Sequence, residues 1–183
     1  RIATMKLNLE KALSSYKDGD VASAEAECRK LLSALKRKTN KPLHAEVYNL
    51  LAAIAINDNQ IKKAIDYCNK GIRKYRNPHL FNTRAIAWLK AEKYQRALAS
   101  VETALSIAPN IQEFATNKIE ILIHLKRFQE ASHLLWQQFG AKEHQVLREK
   151  TLARITEAEG QYDRAESHLR QVISLQPHDK RVL

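Results

Sequence analysis

Seven histidines and two cysteines are the side chains here best suited to metal or nucleophile chemistry. Their spacing argues against both. His44, His79, His124, His133, His144, His168 and His178 contain no HExxH pair, which would set two imidazoles on one helical turn beside a general base. Cys28 and Cys68 are far apart and have no CxxC step, so neither a zinc site nor a disulfide framework is indicated. P-loop, GxGxxG and GxSxG patterns are missing as well. No catalytic residue, metal or cofactor is expected. The chemistry that remains is that of binding.

Amides and cations are placed more suggestively. Asn49, Asn82 and Asn117 recur at intervals of 33 and 35 residues. A carboxamide both donates and accepts, so a row of them can pair with the backbone of an extended peptide whatever its sequence. The net charge is +11. Residues 1–44 hold ten Lys/Arg against five acids, and residues 45–78 hold six against three. Such an excess suits an acidic partner, although a merely solvated basic surface also explains it. The densest footprint comprises Arg37, Lys38 and Lys41, then Lys62, Lys63, Lys70, Arg73 and Lys74. Tyr67 and Tyr75 are the aromatic side chains nearest to it, so nucleic-acid binding is a lesser alternative that would act through the phosphates.

These residues need elements to position them, and the elements repeat. "KYQRALASVETAL" (93–105) aligns with "QIKKAIDYCNKGI" (60–72), "RFQEASHLLWQQF" (127–139), "QYDRAESHLRQVI" (161–173) and, more distantly, "DVASAEAECRKLL" (20–32). The shared small residues are Ala24, Ala64, Ala97, Ala131 and Ala165, at spacings of 40, 33, 34 and 34. An apolar or aromatic residue precedes each by three: Val21, Ile61, Tyr94, Phe128 and Tyr162. The upstream halves, such as "VYNLLAAIAINDNQ" (47–60) and "LFNTRAIAWLKAEK" (80–93), repeat in step. Ala, Leu, Lys, Glu, Gln and Arg dominate, and these favour helix. A period near 34 in such a composition predicts an all-α solenoid of helix pairs.

The expected pairs are 4–17/21–37, 44–57/61–75, 79–91/94–107, 112–125/128–139 and 144–158/162–175. They form units over about 5–38, 45–78, 78–111, 112–145 and 146–179 of one solenoid, 1–183. Gly19 and Gly160 fall at the turn inside the first and last units, where glycine accepts positive φ. Asn59, Glu92 and Lys126 take that place elsewhere, which predicts either another turn geometry or a small strain. The longer first spacing marks a basic insertion at 36–44, expected as an extended second helix or an exposed loop. Trp88 and Trp136 fit core spacing, as do Cys28 and Cys68.

The units resemble the tetratricopeptide repeat. The third offers Phe81, Arg84, Ala85, Trp88, Ala97, Val101 and Pro109. The second offers Tyr48, Leu51, Ala52, Ala55, Ala64 and Cys68. The fifth offers Ala153, Ala165, Leu169 and Pro177, and the fourth keeps Phe128 and Ala131 but has Ile119 at a small-residue site. The resemblance implies a right-handed superhelical solenoid of antiparallel helix pairs whose first helices line a concave groove for a partner peptide or helix. The groove residues it implies are Asn49, Ala53 and Ile56, then Asn82, Thr83, Ile86 and Lys90. Thr116, Asn117, Glu120 and His124 follow, and then Lys150, Arg154 and Glu157.

Some members use an asparagine ladder, which the three asparagines would form here. Others clamp the acidic tail of a chaperone between Lys, Asn and Arg. The clamp sites hold Asn49, Ala53, Thr83, Glu113 and Asn117 in one register and Leu9, Leu13, Leu50, His79 and Thr83 in another, so no EEVD-type tail is expected to bind. The function expected is a protein-interaction scaffold. The alternative is an accessory module that positions substrate or partner for a larger enzyme of sulfotransferase or glycosyltransferase type. The chain opens on Arg1 and its last residues, "HDKRVL", suit a further helix, so it reads as part of a longer protein. No apolar run reaches membrane-spanning length, and a cytoplasmic home is the expectation.

Overall fold

The computed structural model describes residues 2–35 and 40–176. Arg37, Lys38 and Pro177, and the final "HDKRVL", lie outside the described residues. The helices are α1 (Ile2–Lys17), α2 (Val21–Leu35), α3 (Lys41–Asn57), α4 (Ile61–Lys74), α5 (Pro78–Lys90), α6 (Tyr94–Ile107), α7 (Gln112–His124), α8 (Phe128–Phe139), α9 (Gln145–Ala158) and α10 (Tyr162–Leu175). A single 3-10 turn, Lys142–His144, precedes α9. They group into two compact units, Arg1–Pro109 and Asn110–Leu183. Every described element is helical, as the period and composition predicted.

The starts and stops follow from local chemistry. Asp20 caps α2, its carboxylate accepting from the Ser23 amide at 3.1 Å. Asn40 caps α3 through Leu43 N at 3.2 Å, and Asn77 caps α5 through His79 N at 2.9 Å. Pro42 and Pro78 sit in the first turns of α3 and α5, where a missing N–H loses nothing. The described part of the insertion, 40–44, therefore belongs to the cap and first turn of α3. Pro109 follows the end of α6 at Ile107 and stops it, as expected.

All five turns inside the helix pairs share one geometry. Gly19, Asn59, Glu92, Lys126 and Gly160 have φ of 86°, 58°, 56°, 58° and 81°. In each, this residue's N–H donates three residues back and the next N–H donates five back. Around Glu92 these bonds are Glu92 N to Leu89 O and Lys93 N to Trp88 O, both 2.9 Å. Around Gly160 they are Gly160 N to Glu157 O at 2.9 Å and Gln161 N to Thr156 O at 2.8 Å. This is the Schellman pattern. The alternative of a different geometry at the polar positions is thereby corrected: the turn is the same, and the strain is real.

The small residues do what their period implied. Ala24, Ala52, Ala64, Ala85, Ala97 and Ala131 are fully buried, so paired helices approach closely through them. Between Ala91 and Pro109 this holds for Ala97 and Ala104 alone; Ala99 is exposed. The first unit's core joins Leu9, Leu31, Leu35, Leu43, Leu51 and Ile54 from α1, α2 and α3. Burying each such side chain stabilises by roughly 1.5–3 kcal/mol. Cys28 and Cys68 are fully buried in the same layers, and burial pushes both thiols up to about 12. One expectation fails. Trp136 is half exposed rather than core, with the Arg148 guanidinium 4.4 Å over its ring. Leu169 is also exposed.

Candidate functional site

In the first unit α1 packs on α3 and α3 on α5, while α2, α4 and α6 stand further apart. The first-helix face is therefore its inner side. Asn49 and Ala53 lie on that face of α3, half-buried. They border a cavity of about 310 Å³ between α1, α3 and the start of α5. Leu9, Leu13, Tyr16 and Leu50 line its floor and walls, with Lys17 and Glu46 also bordering it. Sequence reasoning had passed over Leu9, Leu13 and Leu50 because they fail as clamp residues. Leu9 and Leu13, apolar and one helical turn apart on α1, were the signal, with Leu50 facing them from α3.

The Asn49 amide is held in place. Thr83 on α5 donates its hydroxyl to Asn49 Oδ1 at 2.7 Å. That bond assigns Oδ1 and leaves Nδ2 to donate elsewhere. Thr83 is thus a positioning residue, itself 8% exposed. Asn82 is 2% exposed, so its amide offers almost no surface to a ligand. The packing of α5 thus buries the middle one of the three asparagines. Ile86 is half-buried and Lys90 exposed on the same helix.

In the second unit the groove residues meet one another. Arg154 on α9 donates to Glu120 on α7 at 2.6 Å, and His124 lies 3.3 Å from the other Glu120 oxygen. Glu120 occupies the same repeat position as Ala53, and Arg154 follows it by one repeat. Thr116 donates back to its own helix at Gln112 O, 3.1 Å. Asn117 is half-buried and Lys150 exposed. This face is a polar, internally paired surface.

The basic footprint lies on second helices and on the start of α3. Lys41, Lys62, Lys70, Arg73 and Lys74 are exposed. Part of the charge is compensated: Lys70 pairs with Asp66 at 2.6 Å and Lys63 with Glu25 at 3.3 Å. Among the described residues no group of three or more His, Cys, Asp or Glu could hold a metal ion. No described helix is long and apolar enough to cross a membrane.

Comparison with known proteins agrees with this architecture. A family model described as tetratricopeptide repeat matches residues 45–74 and 151–179. No curated protein matches the chain in sequence. Among solved structures, the nearly identical TPR-like repeats of a putative kinesin light chain from Podospora anserina superpose with a TM-score of 0.82 at 17% identity, over 99% of both chains. A tetratricopeptide repeat protein from Parabacteroides merdae gives 0.76 at 20% identity, over 97% of this chain and 68% of that one. YrrB, a TPR protein with an unusual peptide-binding site, gives 0.68 at 17%, over 94% and 86%. Two of its repeats are thus matched by the tetratricopeptide-repeat model, and along nearly its whole length the chain has the fold of tetratricopeptide-repeat structures.

Proposed function

We propose that this chain is a protein-interaction scaffold and that the inner face of its first unit grips a segment of a partner protein. The observation that carries the reading is the apolar cavity beneath Asn49. An apolar side chain of the partner would fill the space between Leu9, Leu13 and Leu50. The Asn49 Nδ2, aimed by Thr83, would donate to a partner backbone carbonyl beside it. Apolar anchor plus fixed amide is the usual economy of peptide grooves: area supplies the affinity and a few polar groups the orientation. The peptide site borne by YrrB, a protein of similar fold, supports the reading.

The test is site-specific photo-crosslinking in a lysate of the source cells. A photoreactive side chain replaces Ala53 at the cavity or Lys62 on the opposite helix layer. The proposal expects a discrete protein adduct from position 53 and none, or a different set, from position 62. Equal adducts from both positions would place binding off the inner face.

A further inference from the structure

A second cavity, of about 420 Å³, opens on the other side of α3. It is lined by α2 (Arg29, Ser33), α3 (Tyr48) and α4 (Tyr67, Lys70, Lys74). His44 and Tyr48 border this cavity, whereas Glu46, Asn49, Leu50 and Ala53 border the inner one. At 3.6 residues per turn those two sets fall on opposite faces of α3. The two cavities are therefore separate, and occupation of one does not require the other.

Three cations line this cavity and no described acid does. The acids that compensate them stand outside it. Glu25 holds Arg29 at 2.7 Å, with Tyr67 as a second side-chain partner, and Asp66 holds Lys70 at 2.6 Å; donors remain on both groups, which have five and three. Lys74 carries no ion pair among the described residues. The cations gather about Tyr67, with Lys70 6.0 Å and Lys63 5.9 Å from its ring centroid. Tyr48 tilts against that ring at 37°, with centroids 6.3 Å apart. These neighbours occupy the ring faces a nucleobase would need for stacking. What stays available is N–H donors and positive charge around a concave space of side-chain size.

We propose that this second-helix cavity is a recognition site for a phosphorylated side chain on a partner peptide. A phosphoryl group at neutral pH carries between one and two negative charges and three acceptor oxygens, which answers three cations lining one cavity better than a single carboxylate does. The Arg29 guanidinium offers paired N–H donors, and Lys70 and Lys74 act as point charges beside it. Ser33 adds a hydroxyl at the wall. The site does not depend on the inner-face reading, because it uses other residues on another face.

The probe is a neutral synthetic decapeptide with one phosphoserine, titrated against the whole chain at physiological salt. Its twins carry Ser or Glu at that position, and a single-stranded oligonucleotide of similar charge is run beside them. The phosphopeptide should bind at least about tenfold more tightly than either twin, the signature of a charge-assisted contact. Lys74→Gln should weaken it about five- to tenfold, while Lys62→Gln, on the same helix but outside the cavity, should change it less than about twofold. Circular dichroism checks that the variants fold, and Arg29→Gln carries the same expectation should Lys74→Gln fail to. Equal binding of phosphorylated and plain peptides would overturn the proposal. So would equal binding of the Glu twin, an equal loss in Lys62→Gln, or tighter, Lys74-dependent binding of the oligonucleotide.

Discussion

Glu92→Gly should make this protein more stable, against the usual expectation for glycine beside a helix. Glu92 is exposed and sits at φ 56°, a conformation that crowds Cβ against the backbone carbonyl. An L-residue there is strained by roughly 1–2 kcal/mol. Glycine removes the strain but gives the unfolded chain more freedom, which costs about 0.5–1 kcal/mol. The difference is a gain of between zero and about 1.5 kcal/mol, centred on about 0.75. Asn59→Gly should gain less, since asparagine tolerates the left-handed region. Gly160→Ala should lose a similar amount. A Cβ there meets nothing within 4 Å, so the loss would be backbone strain alone. Urea unfolding followed by circular dichroism reads all three, as shifts in midpoint with unchanged slope. Destabilisation by Glu92→Gly, or a neutral Gly160→Ala, would refute the strain argument.

Other substitutions test the packing. Gly71→Ala would set a Cβ 2.6 Å from Leu80 Cδ1 and 3.0 Å from Tyr48 Cβ. Leu80 is fully buried, so overpacking of about 1–3 kcal/mol should outweigh the helix-propensity gain, and the melting midpoint should fall. Arg84 stands where the repeat pattern wants leucine, bonded to Asn69 Oδ1 at 2.9 Å and Ser100 Oγ at 3.2 Å. Burial lowers its pKa. Arg84→Leu should leave stability within about 1 kcal/mol of the parent, whereas Asn69→Ala, which removes one of the two side-chain acceptors of this half-buried guanidinium, should lose about 1–3 kcal/mol in the same urea assay. The thiols of Cys28 and Cys68 rise from 9.0 to about 12 on burial, so the folded state keeps protons that the unfolded state releases. Their contribution is whole below pH 9 and is lost as pH climbs towards 12. The fall is about 1.4 kcal/mol per pH unit for each cysteine, and Cys68→Ala should show a shallower alkaline decline.

The repeat made most of the fold legible. Ala24, Ala64, Ala97, Ala131 and Ala165 are all buried in second helices, because a close helix pair tolerates only small side chains at that crossing. The helix limits followed within a few residues, since Pro109, Asn77 and the glycines act locally. The site was less legible. Asn49 and Asn82 hold the same repeat position, yet one borders a cavity and the other is buried, because exposure depends on the neighbours each meets in the folded chain, which spacing does not record. The Glu120–Arg154 pair needs two helices to be seen at once. Trp136 shows the opposite failure: helical spacing suggested core, but a guanidinium, not a hydrophobic layer, covers its ring.

The most direct test of the central claim is the affinity of the partner segment captured at position 53, measured by calorimetry against the parent chain and Leu13→Asp. Leu13 is 39% exposed at the cavity wall, so an aspartate there leaves the fold intact while placing a charge where the partner's apolar side chain would rest. The account predicts a loss of tenfold or more, about 1.4 kcal/mol. An unchanged affinity in a folded Leu13→Asp chain would contradict it.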